Sequence, residues 1–89
     1  MNIKIDKSFQ KDVKKIKERN IQKKIADIIR NVQRANNRAK IRNIKKLTGS
    51  SDEYRIKIGD YRIGLILSEN NAEFIRCLHR KDIYKYFPK

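Results

Sequence analysis

The stretch Tyr54-Arg55-Ile56-Lys57-Ile58-Gly59-Asp60-Tyr61-Arg62-Ile63 decides how this chain folds. Apolar and cationic side chains alternate through it with period two. Two half-buried strands joined at Gly59-Asp60, a two-residue turn of the Gly-X kind, produce that pattern. Tyr54, Ile56 and Ile58 share one face, Arg55 and Lys57 take the other, and Arg62 joins the cations from the returning strand, Tyr61 to Leu67. Ser68 to Asn71 turns the chain again. Phe74 to Leu78 reads as the next strand, paired with its sequence neighbour because consecutive strands are usually adjacent.

Upstream, Asn2 to Ile5 alternate as a short strand that ends at Asp6, where turn and capping chemistry begins. Ser8 can cap a helix whose apolar stripe is Phe9, Val13 and Ile16, ending near Asn20. A second stripe of Ile21, Ile25, Ile28, Ile29, Val32 and Ala35 predicts a second helix, antiparallel to the first across a tight connection at Arg19-Asn20. Two consecutive asparagines, Asn36 and Asn37, break the period before an extended segment through Ile41, Ile44 and Leu47, and Thr48 to Asp52 is a turn. The tail from His79 to Lys89 is polar and aromatic and need not be regular. The predicted order is β-α-α-β-β-β, an α+β domain with two antiparallel helices on one face of a small, mainly antiparallel sheet. The other face, carrying Arg55, Lys57 and Arg62, is then open.

A chain of 89 residues suits one domain, 1–89. Its 24 Lys and Arg against 10 Asp and Glu leave a net charge of +14, which repels itself unless a polyanion or an acidic partner neutralises it. The apolar content, 38%, is low, yet the regular periods mark a folded chain. The longest uncharged apolar run, Ile63 to Leu67, falls far short of the ~20 residues that a bilayer crossing needs. With no apolar signal-peptide core at the N-terminus, the expectation is a cytoplasmic protein without a membrane partner. A single cysteine, Cys77, and a single histidine, His79, make neither an internal disulfide nor a zinc site of the usual four ligands. No metal or small-molecule cofactor is expected. Cys77 reads as a small buried thiol. No nucleophile elbow, phosphate-binding glycine loop or paired-carboxylate motif is present.

What remains is cationic chemistry interleaved with aromatics: Arg55, Lys57, Arg62, Arg80 and Lys81 among Tyr54, Tyr61, Tyr84 and Tyr86. Such alternation suits single-stranded nucleic acid, cations holding phosphates while rings stack on bases, and it also suits ordinary solvated strand positions. A 2′-hydroxyl attacking the adjacent phosphate concentrates negative charge on the nonbridging oxygens, where Arg55 and Arg62 can stabilise it. Lys57, crowded by like charges, can accept the 2′ proton, and Arg80 can stabilise the charge on the leaving 5′ oxygen or donate a proton to it, the second being the weaker role for a guanidinium. No acidic residue occurs between Ile28 and Ser51, whereas Arg30, Arg34, Arg38, Lys40, Arg42, Lys45 and Lys46 are all positive. That block can grip RNA, receive an acidic protein segment, or be a solvated face.

Lys46-Leu47-Thr48-Gly49, the Tyr54 to Ile63 hairpin and His79-Arg80-Lys81-Asp82-Ile83-Tyr84 together resemble the RelE/ParE superfamily of type II toxins across essentially the whole chain. The resemblance implies a microbial-ribonuclease-like fold and a cognate antitoxin. Its RelE branch cleaves mRNA in the ribosomal A site without metal, and its ParE branch inhibits DNA gyrase. Carried over, the site residues are Arg55, Lys57, Arg62, Arg80 and a base-stacking tyrosine. Tyr84 fits the HRKDIY motif and Tyr86 fits a longer separation; Tyr84 is preferred. Arg55 stands where a lysine is common, which leaves Lys57 as the base. Lys45, Lys46, Lys81 and Tyr86 are the further expected RNA contacts, with the ribosome and mRNA as partners. Some relatives use a histidine here, but alternation puts His79 opposite Arg80. The expected function is a ribosome-dependent mRNA endonuclease releasing a 2′,3′-cyclic phosphate and a 5′-hydroxyl. The alternatives are a ParE-like gyrase inhibitor without nuclease activity and a basic RNA-binding module.

Overall fold

A computed structural model describes residues 1–88; Lys89, the last residue of the tail, lies outside them. Strand β1 (Asn2–Ile5) leads into helices α1 (Lys7–Lys15) and α2 (Arg19–Arg34). A single 3-10 turn (Arg38–Lys40) follows, then strands β2 (Ile44–Lys46), β3 (Glu53–Ile58), β4 (Tyr61–Ser68) and β5 (Asn71–His79), and the short helix α3 (Ile83–Tyr86). The strands form one sheet in the order β1-β5-β4-β3-β2, antiparallel except where β1 runs parallel to β5. The α+β class and the central hairpin are as read from the alternation. Ile58 pairs with Tyr61, Lys57 with Arg62 and Arg55 with Gly64, and Gly59 supplies the positive φ of +54° that the turn requires. Among the described residues no helix is long and apolar enough to cross a membrane.

The core lies between the sheet and the helical pair. Phe9, Ile16, Ile21, Ile25 and Val32 pack onto Tyr54, Ile56, Ile58, Ile63, Leu65, Phe74 and Cys77, all buried. Each such aliphatic side chain contributes about 1.5–3 kcal/mol by leaving water.

Four details depart from the sequence-based expectation. The extended segment through Ile44 pairs with β3 and adds an edge strand, so the order is β-α-α-β-β-β-β-α. Helix α1 starts from Asp6, whose carboxylate accepts the Ser8 N–H at 3.1 Å, and ends at Lys15 rather than near Asn20. Ile16 leaves the helix to enter the core, and Gln22 Nε2 satisfies its freed carbonyl at 2.6 Å. The tail is ordered through α3. It also covers part of the face expected to be open, because Ile83 and Phe87 are buried and the Phe87 ring lies on the backbone of Gly64. A Cβ at Gly64 would fall 2.6 Å from Phe87 Cγ, so only glycine admits the ring there.

Strand β5 outruns its neighbour. β1 pairs with it only as far as Phe74, and beyond that point side chains of α1 complete the edge. Ser8 Oγ donates to the Ile75 carbonyl at 2.8 Å, and Asp12 Oδ2 accepts the Cys77 N–H at 2.9 Å. The register between β4 and β5 shifts at Gly64/Leu65, leaving Ile75 as an extra residue on β5. Phe74 and Cys77, three apart, therefore both reach the core, and Arg76 turns to Asp12. Arg76 Nε and Nη2 donate to Asp12 Oδ2 and Oδ1 at 2.7 and 3.1 Å, a two-pronged ion pair on a carboxylate that is 5% exposed.

Asp12→Ala leaves a partly exposed guanidinium without its partner and a buried backbone N–H unsatisfied, and should lower unfolding stability by about 1–3 kcal/mol in urea titration. Gly64→Ala should cost about 1–3 kcal/mol and release the tail to limited proteolysis, because Phe87 must move. Burial, with Asp12 adding to it, pushes the Cys77 thiol up to about 12 from an ordinary 9.0. Below pH 9 both folded and unfolded thiols hold their proton; between 9 and 12 the unfolded thiol ionises first, so stability falls with rising pH. The stability of the wild-type protein minus that of Cys77→Ala should decline across that window by up to about 1.4 kcal/mol per pH unit.

Candidate nucleic-acid interface

Arg55 and Lys57 leave β3, and Arg62 leaves β4, on the face away from α1 and α2, opposite the buried Tyr54, Ile56 and Ile58. Lys45 of β2 stands directly across from Arg55, and Arg62 directly across from Lys57. Like charges in facing positions repel, so this sheet carries two unfavourable cation pairs side by side. An anion laid across the strands converts both into favourable contacts.

The Gly59-Asp60 turn collects two further connections. Arg62 Nη1 donates to the carbonyls of Gly59 and Tyr61 at 2.8 and 2.9 Å. The Arg80 N–H donates to the Asp60 carbonyl at 2.7 Å, and its exposed guanidinium Nε lies 3.9 Å from the Asp60 carboxylate. Arg62 and Arg80, eighteen positions apart in sequence, are thereby tied to one tight turn.

Where Phe87 crosses Gly64, the tail brings Tyr84 over the β2–β3 side of the face. Tyr84, Arg55, Lys45, Lys46, Thr48 and Pro88 line a cleft of about 360 Å³ in which the Tyr84 ring is exposed. Arg62 and Arg80 are not among its walls. Lys57 borders a different groove of about 250 Å³, beside Lys24 and Arg42 near α2. The sequence-predicted residues therefore fall into three neighbouring groups: Arg55 with Lys45, Lys46 and Tyr84; Lys57 facing Arg62; and Arg80 at the turn.

Tyr86 points elsewhere, onto Arg76 in a cleft on the α1 side of β5, with the guanidinium carbon 5.0 Å from the ring centroid. Lys81 is exposed, and its N–H donates to His79 Nδ1 at 3.2 Å. His79 registers with Tyr61, and the two rings meet edge-on at 5.9 Å. Its Nδ1 is occupied as an acceptor, so a neutral ring carries its proton on Nε2. Burial and the nearby Glu18 carboxylate, to which its hydroxyl donates at 3.4 Å, raise the Tyr61 hydroxyl above its ordinary value. Within the basic block, Arg30 pairs with Asp27, and Arg38 lies over the Tyr54 ring and donates to its hydroxyl.

Gly64 and Phe87 escaped the sequence reading, as did the tie of Arg80 to Asp60, a residue read only as part of the turn. An isolated glycine inside a strand signals close approach of another group, and Gly64 carried that signal. Phe87 and Asp60 gave none, because the first depends on how the tail folds back and the second on which strand ends meet.

Comparison with known proteins agrees with this architecture. A family model described as ParE toxin of type II toxin-antitoxin system, parDE, matches residues 3–84. Toxin RelE3 of Methanocaldococcus jannaschii is 40% identical over 89 residues, covering 99% of this chain and all of the relative. The crystal structure of a RelB-RelE antitoxin-toxin complex from Methanococcus jannaschii superposes with a TM-score of 0.79 at 39% identity, over 96% of this chain and 99% of that one. The intact Escherichia coli RelBE complex shares the fold at 18% identity, with a TM-score of 0.68 over 88% and 94% of the two chains. Sequence and fold thus agree along nearly the whole length, and the chain belongs to the RelE/ParE superfamily of type II toxins, close to RelE3.

Proposed function

We propose that this toxin is a ribosome-dependent endoribonuclease that cuts mRNA without a metal ion. The observation that carries the reading is the two facing cation pairs, Lys45 with Arg55 and Lys57 with Arg62, on the sheet face that the tail covers only in part. Their mutual repulsion is relieved by a phosphate backbone, and nothing in a purely structural role calls for it. In the reaction, the 2′-oxygen attacks the adjacent phosphorus and gives its proton to the Lys57 amine. Arg55 and Arg62 hold the nonbridging oxygens as their charge grows, which favours the transition state over the ground state. Arg80 steadies the departing 5′ oxygen, and Tyr84 stacks on a base beside Arg55. The bond from phosphorus to the 5′ oxygen breaks, and that oxygen takes a proton from water, so the products are a 2′,3′-cyclic phosphate and a 5′-hydroxyl. Lys46 and Lys81 contribute phosphate contacts.

The M. jannaschii and E. coli relatives were solved as RelB-RelE complexes, which supports a cognate antitoxin as the resting partner of this chain. A charge of +14 suits an acidic one, and the setting is the cytoplasm, where ribosomes are. The description of the matching family as ParE toxin favours one second reading, a gyrase inhibitor that cleaves nothing.

Mapping of mRNA 5′ ends after brief induction separates the two. In-frame cuts confined to translated codons are expected, reduced about 10²-fold or more in a folded Arg62→Ala protein. Intact mRNA with growth arrest and a DNA-damage response would establish the gyrase reading instead.

A further inference from the structure

Two tyrosines leave the four-residue helix α3 toward different clefts. Tyr84 reaches the one over Arg55, and Tyr86 reaches the one between α1 and β5. A helix this short does not hold itself by its own hydrogen bonds, so its orientation comes from what its side chains touch. Ile83 and, just past the helix, Phe87 are buried against the sheet and fix how deep the segment sits. Apolar contacts are non-directional and leave its rotation open.

The Asp82 N–H, bonded to the His79 carbonyl at 2.8 Å, ties the start of the helix to the end of β5, and the side-chain contact that orients its far end is at Tyr86. Its ring meets the Arg76 guanidinium at 5.0 Å, within range of a cation–π contact. Arg76 is itself held by both oxygens of Asp12, at 2.7 and 3.1 Å, and Asp12 is buried and also holds the Cys77 N–H. A continuous line of contacts therefore runs from α1 through the edge of β5 to α3. The cleft of Tyr86 shares no residue with the cleft of Tyr84, and the Tyr86 ring face nearest Arg76 is already occupied.

We propose that Tyr86 is a positioning residue, which sets Tyr84 over the Arg55 cleft by stacking on an arginine anchored by Asp12. The proposal rests on the nuclease reading only for what Tyr84 touches in the substrate; the anchoring of the tail stands apart from it.

The test compares wild type, Tyr86→Phe, Tyr86→Leu and Tyr86→Ala by backbone nitrogen-15 relaxation and by cleavage on translating ribosomes. Unfolding midpoints confirm that each variant is folded, and Tyr86→Leu keeps apolar bulk should Tyr86→Ala not fold. Phe keeps the ring over Arg76 and should behave as wild type. Ala and Leu should lower the order parameter of Tyr84 from about 0.85 toward 0.6. They should also cut kcat about tenfold or more with KM little changed, because orientation rather than affinity is lost. In a Tyr84→Ala background the Tyr86→Ala change should add nothing. Unchanged Tyr84 order in the Ala and Leu variants, a Phe variant as impaired as Ala, or losses that multiply with Tyr84→Ala would each overturn the proposal. If the wild-type protein cuts nothing, the nuclease reading fails, and the relaxation data alone decide whether Tyr86 orders the tail.

Discussion

The carboxylate of Asp12 is the point on which the rest of the structure depends. Strand β1 covers β5 only as far as Phe74, and the exposed remainder of that edge would present unpaired backbone groups. Asp12 takes the Cys77 N–H and the Arg76 guanidinium in one arrangement, and with Ser8 on the Ile75 carbonyl it closes the sheet edge and fixes α1 to it. A buried charge of this kind is costly in isolation, and three hydrogen bonds, two of them from a cation, offset that cost. Burial of Cys77 fits the same arrangement, because the bulge at Ile75 puts Phe74 and Cys77, three apart, both toward the core. What holds the sheet together thus also determines where the arginine beside it points.

From that anchor the structure reaches the cationic face by way of the tail. Phe87 and Ile83 close over β4 and β5, and the groove left at the β2–β3 side holds Arg55, Lys45 and Tyr84. At the far end of the hairpin the Gly59-Asp60 turn gathers Arg62 and Arg80 through backbone carbonyls. Cations packed this closely repel one another, and the protein tolerates them by satisfying some of their donors with neutral carbonyls while leaving the rest to solvent. Arg38 is used in yet another way, as a cover for the Tyr54 ring at the rim of the core. The charge of +14 is therefore not one undivided surface. Parts of it are committed to structure and parts remain unneutralised.

The hairpin was legible in the sequence because period two is a local property: each residue from Tyr54 to Ile63 declares its face by its neighbours. Both helices were legible for the same reason, through stripes such as Ile21, Ile25, Ile28 and Val32. Their ends were less so. The end of α1 is decided by Ile16, whose burial pulls the chain out of the helix, and by Gln22, which satisfies the carbonyl left behind. The brief strand at Ile44 exists because β3 offers it an edge, and three residues cannot announce that by themselves. At the candidate site, the side on which Arg55, Lys57 and Arg62 stand followed from alternation. The separation of Tyr84 from Tyr86 did not, since it depends on α3, on the bulge at Ile75 and on an aspartate more than sixty residues upstream. Non-local contacts of that kind leave no periodic trace.

Gly64 and Phe87 occupy one volume between them: the ring fills the space that any side chain at position 64 would need. The two positions, one in the middle of a strand and the other near the end of the chain, are consequently not free to change independently. Among homologous chains, a residue larger than glycine at the first should be accompanied by a smaller one, or a displaced tail, at the second. This makes the packing of the tail visible as covariation between two columns of an alignment, where neither residue would be recognised as functional from its chemistry alone.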